Sequence, residues 1–304
     1  WQTSRTADRG QDRIYSETLS YMNPASAGSV ARWTGLISES VTQHSGAPAR
    51  SDSYVYDAVG RLTSSNLETG ISYDSNGNVT ALRRLSAAGA TTADLTMAYA
   101  GNRLAGVVNT ESEDTGTFSY TYDSSGNLTT DSHNRLQIQN NVLNLPMRVE
   151  QSSTTGTSAG TMGGTMTYTY LGDGTRVAAR AGADASSHAG KRYRGSFVYD
   201  VTSGGVQSLE SVAVSTGRLT ALTGNNGAVS FESDGFITDH LGNVAVVVNL
   251  SASSATSTDN AILEQNEYTP FGTRLTPALK TQAANRWRYA GKEEQDIAGM
   301  DLHL

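Results

Sequence analysis

The sequence predicts an all-β protein, made of repeated antiparallel β-hairpins stacked into a curved or spiralling strip. One observation is a period of two: residues 118–122 (FSYTY) and 166–170 (MTYTY) alternate aromatic or apolar residues with hydroxyl residues. Such alternation is typical of a half-buried strand. The other observation is a turn phrase that recurs along the chain. Sustained helical periodicity is scarce, and its best candidate, around Leu279 to Trp287, is short.

The recurring phrase begins with Tyr-Asp and continues through a glycine to an aliphatic residue. It reads YDAVGRLTS at 56–64, YDSNGNVTA at 73–81 and YDSSGNLTT at 122–130, with a shortened copy YAGNRLAGV at 99–107 and a degenerate copy YLGDGTRVA at 170–178. The tyrosines at 56, 73, 99 and 122 are separated by 17, 26 and 23 residues. Self-similarity at this spacing indicates stacked supersecondary elements.

The phrase itself has the chemistry of a tight hairpin. Asp123 suits the first position of a type I turn, and Gly126 suits the left-handed residue that closes a three-residue loop with a G1 bulge. On this register Tyr122 faces Leu128, an aromatic–aliphatic pair that stabilises a hairpin by roughly 0.2–1 kcal/mol. The same register pairs Tyr56 with Leu62, Asp57 with Arg61, Tyr73 with Val79, Asp74 with Asn78, and Asp123 with Asn127.

Composition excludes several classes of protein. The 304 residues carry a net charge of −7, and an acidic chain lacks the basic surface of nucleic-acid binding proteins. The absence of cysteine removes disulfides, thiolate catalysis and Cys-ligated zinc. The longest apolar run, Val244 to Val248, is far shorter than the ~20 residues of a membrane-spanning helix. Because the chain begins at Trp1 without a leader, we expect a processed or excised piece.

The dipeptide Asp239-His240 invites an acid–base interpretation. Within DHLGNV it is better explained as another turn, with Gly242-Asn243 at the bend and a buried strand after it, because a catalytic site also needs a cleft and a perturbed group. The remaining histidines are scattered along the chain, at His44, His133, His188 and His303. No His or Glu spacing forms a metal signature.

Other candidate sites are equally weak. Gly190-Lys191 and Gly291-Lys292 lack the upstream glycine of a phosphate loop. The aspartates of the turns leave calcium open, but one Asp per hairpin favours turn capping. The sequence therefore predicts no catalytic, cofactor-binding or metal-binding residues and no cofactor. Three Ser/Thr/Gly-rich stretches, Gln151 to Gly164, Ala181 to Gly190 and Leu250 to Asn260, are predicted to be surface loops.

The repeats resemble the YD repeats of the RHS (rearrangement hotspot) proteins, which include bacterial polymorphic toxins. More specific are NLPMRV at 144–149, TDHLGNVAVVVN at 238–249, EYTPFGTRL at 267–275 and NRWRYAGKEEQ at 285–295. In this order they resemble the RHS-repeat-associated core that closes the repeat region, in a Bacteroidetes-like style. The resemblance divides the chain into a degenerate leading repeat (1–31), YD-repeat hairpins (32–180) and a core (181–304). The family's Asp-Pro segment does not follow Gly291-Lys292-Glu293, so the core is expected to be C-terminally truncated.

The resemblance implies a structural function. In the family, strips of hairpins form a β-shell that encapsulates or presents a C-terminal toxin or effector domain, and the expected partners are that missing domain or neighbouring repeats. A cell-surface carbohydrate- or protein-binding adhesion module is the alternative, and an enzyme is not predicted. The family also implies a secreted or cell-envelope location, with no nucleic acid and no membrane span.

Overall fold

The computed structural model describes residues 3–26, 29–111, 114–152, 164–182, 189–224, 226–251, 261–275, 280–281, 285–297 and 300–303. Regular structure in these residues is almost entirely β, with antiparallel pairing between strands consecutive in the chain. The predicted all-β architecture of repeated hairpins is confirmed. The chain divides into two compact units, Trp1–Thr117 with Phe236–Lys292, and Phe118–Gly235 with Glu293–Leu304. The boundaries at residues 31 and 180 stay a prediction.

The first unit contains short hairpins and a four-stranded sheet. Its strands are β1 (Ser4–Arg9), β2 (Asp12–Ser20), β3 (Glu39–His44), β4 (Arg50–Ser53), β5 (Val55–Tyr56), β6 (Leu62–Ser64), β7 (Glu68–Tyr73), β8 (Val79–Leu85), β9 (Thr91–Ala100), β10 (Arg103–Asn109), β22 (Val244–Asn249), β23 (Ile262–Gln265) and β24 (Lys280–Thr281), and the 3₁₀ helix η1 covers Tyr289–Gly291. Strands β1 to β4 form one sheet in sequence order, and β5 with β6 forms a two-stranded sheet. Strands β7 to β10 pair consecutively, as do β22 to β24.

The core of the first unit joins its early and late strands. Ile14 and Tyr15 of β2 pack with Val246 and Val248 of β22 and with Ile262 of β23. The buried strand predicted at residues 244–248 is confirmed, because each of these residues is at most 6 % exposed. Consecutive apolar residues bury both faces of β22.

The second unit is a run of hairpins. Its strands are β11 (Gly116–Tyr122), β12 (Leu128–Asp131), β13 (Leu136–Asn140), β14 (Pro146–Gln151), β15 (Gly164–Tyr170), β16 (Arg176–Ala181), β17 (Gly190–Arg194), β18 (Phe197–Val201), β19 (Gln207–Val214), β20 (Gly217–Thr223), β21 (Val229–Thr238), β25 (Glu294–Ile297) and β26 (Met300–His303). Two residues at the start of β11 and three at the end of β21 belong to the first unit. From β11 to β21 each strand pairs with the next, and β25 pairs with β26. Leu136, Val149, Tyr168 and Ala179 form its core cluster.

The predicted turn is confirmed in detail. The amide of Asp123 donates to the carbonyl of Asn127 over 2.9 Å, and the amide of Gly126 donates to the carbonyl of Asp123 over 3.1 Å. Gly126 has a φ of 92°, and Tyr122 pairs with Leu128 across a bulge. The predicted partners of the other two Tyr-Asp copies are also observed: Tyr56 with Leu62, Asp57 with Arg61, Tyr73 with Val79, and Asp74 with Asn78.

The same five-residue turn recurs where the Tyr-Asp wording is absent. Two backbone hydrogen bonds of the same kind close the turns that start at Ser86, Asn141, Leu171, Thr202, Asp239, Thr269 and Arg288. The fourth residue of the Asn141 turn is Asn144, which adopts a φ of 60° without being glycine. The shortened copy at Tyr99 differs, because its strands pair through Ala100 and Arg103 and leave a two-residue turn.

The helical candidate around Leu279 to Trp287 is wrong where the structure describes it. Lys280–Thr281 forms strand β24, whose backbone pairs with Glu264 and Gln265 of β23. Strand pairing with a neighbour outweighs a weak local helical preference in so short a segment. The three predicted loops lie mostly outside the described residues. Their end residues Gln151, Gly164, Ala181 and Gly190 belong to strands β14, β15, β16 and β17, whereas residues 250–251 lie in no strand.

We predict that Gly126→Val lowers the free energy of unfolding by about 2 kcal/mol, because a β-branched residue is strained at positive φ. Urea denaturation of the purified chain measures the loss. Gly126→Asn is the matched control and should lose less, since asparagine tolerates the left-handed region. Equal losses for the two variants would contradict the turn model.

Candidate functional site

Successive hairpins of the first unit are joined through tyrosine side chains. The Tyr73 hydroxyl on β7 donates to the carbonyl of Leu62 on β6, over 2.6 Å. The guanidinium of Arg61, in the same preceding hairpin, lies 4.5 Å from the centre of the Tyr73 ring. Because β5 and β6 form a sheet of their own, these side-chain contacts tie the β5–β6 hairpin to the next one.

Two other phrase tyrosines make the same kind of contact. Tyr56 donates to the carbonyl of Ile37 over 2.8 Å, and Tyr170 donates to the carbonyl of Pro146 over 2.9 Å. We call Tyr56, Tyr73 and Tyr170 the tyrosine ladder. In each case the acceptor is a backbone carbonyl earlier in the chain. In these three copies the tyrosine serves two roles, because its residue pairs across its own hairpin while its hydroxyl bonds to a carbonyl earlier in the chain.

Buried glutamates attach the core motifs to repeat strands within each unit. In the first unit, Glu68 of β7 is fully buried and accepts hydrogen bonds from the Phe271 amide over 3.0 Å and from Arg84 Nε over 3.0 Å. In the second unit, Glu293 accepts from Arg176 Nη2 over 2.6 Å and from the Tyr193 hydroxyl over 2.9 Å. Leaving such a carboxylate without partners would be costly, so these contacts fix both motifs in place.

The first unit also contains a cavity of about 250 Å³, lined by both polar and apolar side chains. Alternate residues of three paired strands line one wall, and the cross-strand pairs Tyr15 with His44 and Thr42 with Arg50 place their side chains side by side. The turn 239–243 and the segment 266–270 line much of the rest, together with Ile37, Tyr56, Leu62 and Ala245. We call this space the β2–β4 cavity. Period-two alternation explains why one face of these strands supplies so many polar groups.

The charged groups of the cavity are paired with one another. Arg50 lies 2.9 Å from Asp52 and 3.4 Å from Glu267. His240 Nδ1 lies 2.7 Å from Glu17 Oε1, and the Glu17 residue is 2 % exposed. Arg5 lies 3.4 Å from the other Glu17 oxygen and donates to the carbonyl of Asp239 over 2.6 Å. Carboxylates therefore already surround both arginines.

Burial perturbs the acids of the cavity. Desolvation raises the pKa of Asp239 despite its hydrogen bonds from Asn243, and it raises the pKa of Asp52 and of Glu267 despite the nearby Arg50. The turn aspartate Asp123 behaves in the opposite way: hydrogen bonds from Asn127 lower its pKa. In the turn at Asp123, hydrogen bonds favour the ionised carboxylate. In the cavity, the cost of desolvation outweighs the same kind of hydrogen bond at Asp239.

His44 is the most strongly perturbed base of the cavity. Burial, reinforced by Arg50, lowers its pKa to about 4, so the ring is neutral near pH 7. Its ring meets Tyr15 edge-on at 5.1 Å between centroids. Burial also raises the pKa of Tyr15, Tyr54 and Tyr268, whose hydroxyls stay protonated.

The structure brings together residues that the sequence analysis treated separately. The turn predicted at Asp239-His240 is present, and it also lines a cavity with His44. Glu17 lies in the segment interpreted as a degenerate leading repeat, and no signal points to it, because 223 residues separate it from His240. His133 packs instead against Phe118, at 4.4 Å between ring centroids. His188 lies outside the described residues, and His303 is described only as part of β26.

The candidate phosphate-binding pairs are built into strands and turns. Gly190-Lys191 lies in β17, where the Lys191 ammonium lies 3.1 Å from Glu210, and Gly291-Lys292 closes the turn after Arg288. Within the described part of the chain, no three His, Asp or Glu side chains are grouped so as to hold a metal ion. No helix in that part is long and apolar enough to cross a membrane.

No family model and no curated protein matches the chain. Similar solved structures include a chain of the TcdB2-TccC3-TEV crystal structure, with a TM-score of 0.37, 13% identity and coverage of 97% of this chain and 19% of that chain. A Photorhabdus luminescens Tc holotoxin pore has a TM-score of 0.33 and 13% identity, and the match covers 97% of this chain and 19% of that chain. The TcdB2-TccC3 crystal structure has a TM-score of 0.35 and 13% identity, and the match covers 97% of this chain and 20% of that chain. The chain spans about a fifth of the length of these neighbours. At such TM-scores the neighbours do not decide the fold or the function.

We predict that Tyr73→Phe lowers the free energy of unfolding by about 1 kcal/mol, because it leaves the Leu62 carbonyl without this donor. Tyr168→Phe is the matched control. The Tyr168 hydroxyl is buried and has no hydrogen-bond partner among the described residues, so its removal should be neutral or stabilising. Thermal or urea unfolding measures both variants. A larger loss for Tyr168→Phe would refute the ladder.

We also predict a stability loss on acidification that depends on His44. Its folded pKa is depressed, so its contribution is fully present above pH 6.5 and declines as the pH falls towards 4. The full shift corresponds to about 3 kcal/mol, since one pKa unit is about 1.4 kcal/mol. Urea denaturation of wild type and of His44→Phe, at pH 8 and pH 4.5, isolates the contribution of His44 to the pH dependence of the free energy of unfolding. Identical pH dependence of the two proteins would contradict it.

Proposed function

We propose that the chain is a structural β-shell segment of an exported RHS-repeat protein, of the kind that encapsulates or presents a C-terminal toxin or effector domain. The observation that carries the proposal is the tyrosine ladder. A lone hairpin is marginally stable, and it gains stability from contacts with its neighbours. The Tyr73 hydroxyl and the Arg61 guanidinium supply such contacts between consecutive hairpins.

The order of motifs supports the same proposal. The segments that resemble the RHS-repeat-associated core are bonded to repeat strands through Glu68 in the first unit and Glu293 in the second. Contacts of this kind suit a core that closes a repeat region. The expected partners are neighbouring repeats or the effector domain, and the expected location is outside the cytoplasm or in the cell envelope.

The proposal assigns no enzymatic activity to the chain. In the family, self-release of a toxin uses an Asp-Pro segment after the Gly-Lys-Glu motif, and none of the five prolines here follows an aspartate. The adhesive alternative has less support. Three of the five phrase tyrosines, Tyr56, Tyr73 and Tyr170, use their hydroxyls on backbone carbonyls earlier in the chain, and those hydroxyls therefore serve packing within the chain.

Protection of a downstream domain tests the proposal. The full-length gene product is digested with proteinase K beside the downstream domain expressed alone, and fragments are identified by mass spectrometry. We expect the domain to survive in the full-length protein at protease concentrations that destroy it alone. Equal digestion of the two would overturn the shell function.

A ladder variant and a matched control link protection to the proposed contacts. Tyr73→Ala with Tyr170→Ala in the full-length protein should make the downstream domain digestible, because both interhairpin bonds are lost. Tyr168→Phe should leave protection unchanged, since it removes a hydroxyl without a partner. Protection that survives loss of the ladder would assign the shell's integrity to other contacts.

A further inference from the structure

We propose that the β2–β4 cavity binds a small, neutral, polyhydroxylated ligand of the size of a monosaccharide or cyclic polyol. The ladder residue Tyr56 and the acceptor residues Ile37 and Leu62 also line this cavity, but the wall atoms that carry the inference belong to other residues. The cavity volume of about 250 Å³ lies below the roughly 300–1,000 Å³ of sites for drug-sized ligands, which limits the ligand to a single small ring or a short chain.

Several side chains that line the cavity carry buried donor and acceptor atoms without hydrogen-bond partners. Arg50 Nε is a donor, and Asp52 Oδ1 and Asn266 Oδ1 are acceptors, without a hydrogen bond among the described residues. His44 Nδ1 and Thr42 Oγ1 are in the same condition. Asp52, His44 and Asn266 are at most 4 % exposed. Buried polar groups without partners are uncommon and costly, so several of them on side chains around one cavity favour a ligand that supplies both donors and acceptors.

The mixture of donors and acceptors selects the ligand's chemistry. A hydroxyl group donates and accepts at once, so hydroxyls on adjacent carbons satisfy both kinds of wall atom. An amine would serve only the acceptors. An anion is disfavoured, because Arg50 and Arg5 already lie against the carboxylates of Asp52 and Glu17.

Apolar surface and access complete the site. The rings of Tyr15, Tyr54 and Tyr268 line the cavity and offer faces to the C–H groups of a small ring. Leu241, also in the lining, is 53 % exposed, so the site reaches the surface of the unit at this turn. The unpaired atoms themselves are buried, and they reach a ligand through side-chain rotations, which are common on binding.

Calorimetric titration of the purified chain tests the proposal with four neutral probes: glucose, galactose, mannose and myo-inositol. Glucosamine, glycine and inorganic phosphate are the charged comparisons. We expect saturable binding of at least one neutral probe, at one site per chain, that is tighter than any charged comparison. Binding of none of the four, or tighter binding of phosphate, glycine or glucosamine, would overturn the proposal.

Two variants locate the site. Thr42→Val and His44→Phe remove wall atoms that make no hydrogen bond within the described chain, and each should weaken binding of the neutral probe roughly five- to tenfold. The matched control is Thr69→Val, the same change on the half-buried β7 position outside the cavity lining, and it should bind as wild type. Unchanged affinity in both cavity variants would place the ligand elsewhere.

Stability separates loss of the site from loss of the fold. Thr42→Val deletes a desolvated hydroxyl without a partner, so its free energy of unfolding should equal or exceed that of wild type. Weaker binding together with undiminished stability supports the site. Weaker binding that appears only with a lower free energy of unfolding at both positions would assign the effect to folding and overturn the proposal.

Discussion

One backbone constraint recurs in hairpins of both units: the fourth residue of a five-residue turn takes a positive φ. Gly60, Gly77 and Gly126 have φ values between 87° and 92°. The bulged geometry then fixes which residues face each other across the hairpin, since register follows turn type. Antiparallel pairing between consecutive strands, the aromatic–aliphatic pair and the position of the phrase tyrosine all follow from that register.

The tyrosine ladder extends this local order from one hairpin to the next. Its acceptors, the carbonyls of Ile37, Leu62 and Pro146, are backbone groups. A backbone acceptor is present whatever side chain the preceding hairpin carries. The tyrosine can therefore be repeated while the surrounding wording drifts, as it does between YDAVGRLTS and YLGDGTRVA. Repeats that vary in sequence can still stack, because the hydrogen bond from the tyrosine hydroxyl to a backbone carbonyl does not depend on the side chain of the accepting residue.

Local chemistry was predictable from the sequence, and long-range placement was not. The pair Tyr122–Leu128 and the φ of Gly126 follow from nine adjacent residues. The turn at Asn141 was missed because asparagine rather than glycine supplies its positive φ. The Glu17–His240 contact joins residues 223 positions apart, and no local pattern encodes such a pair. The ladder lies between these cases, since the tyrosines are visible in the repeat but their carbonyl acceptors are not.

Asp123 and Asp239 show why the sequence motif of a turn does not reveal whether that turn will line a cavity. Both open the same turn, and in each the side chain accepts hydrogen bonds from the Asn four residues later. Their pKa values nevertheless shift in opposite directions, although both residues are half-buried. Hydrogen bonds from Asn127 dominate at Asp123, whereas desolvation dominates at Asp239, which has Glu17 and Arg5 nearby. The turn fixes the direction of the carboxyl, and the neighbours brought by the tertiary fold fix its chemistry. One turn motif can therefore reverse the chain at one position and form part of a cavity wall at another, where the tertiary fold packs other strands against it.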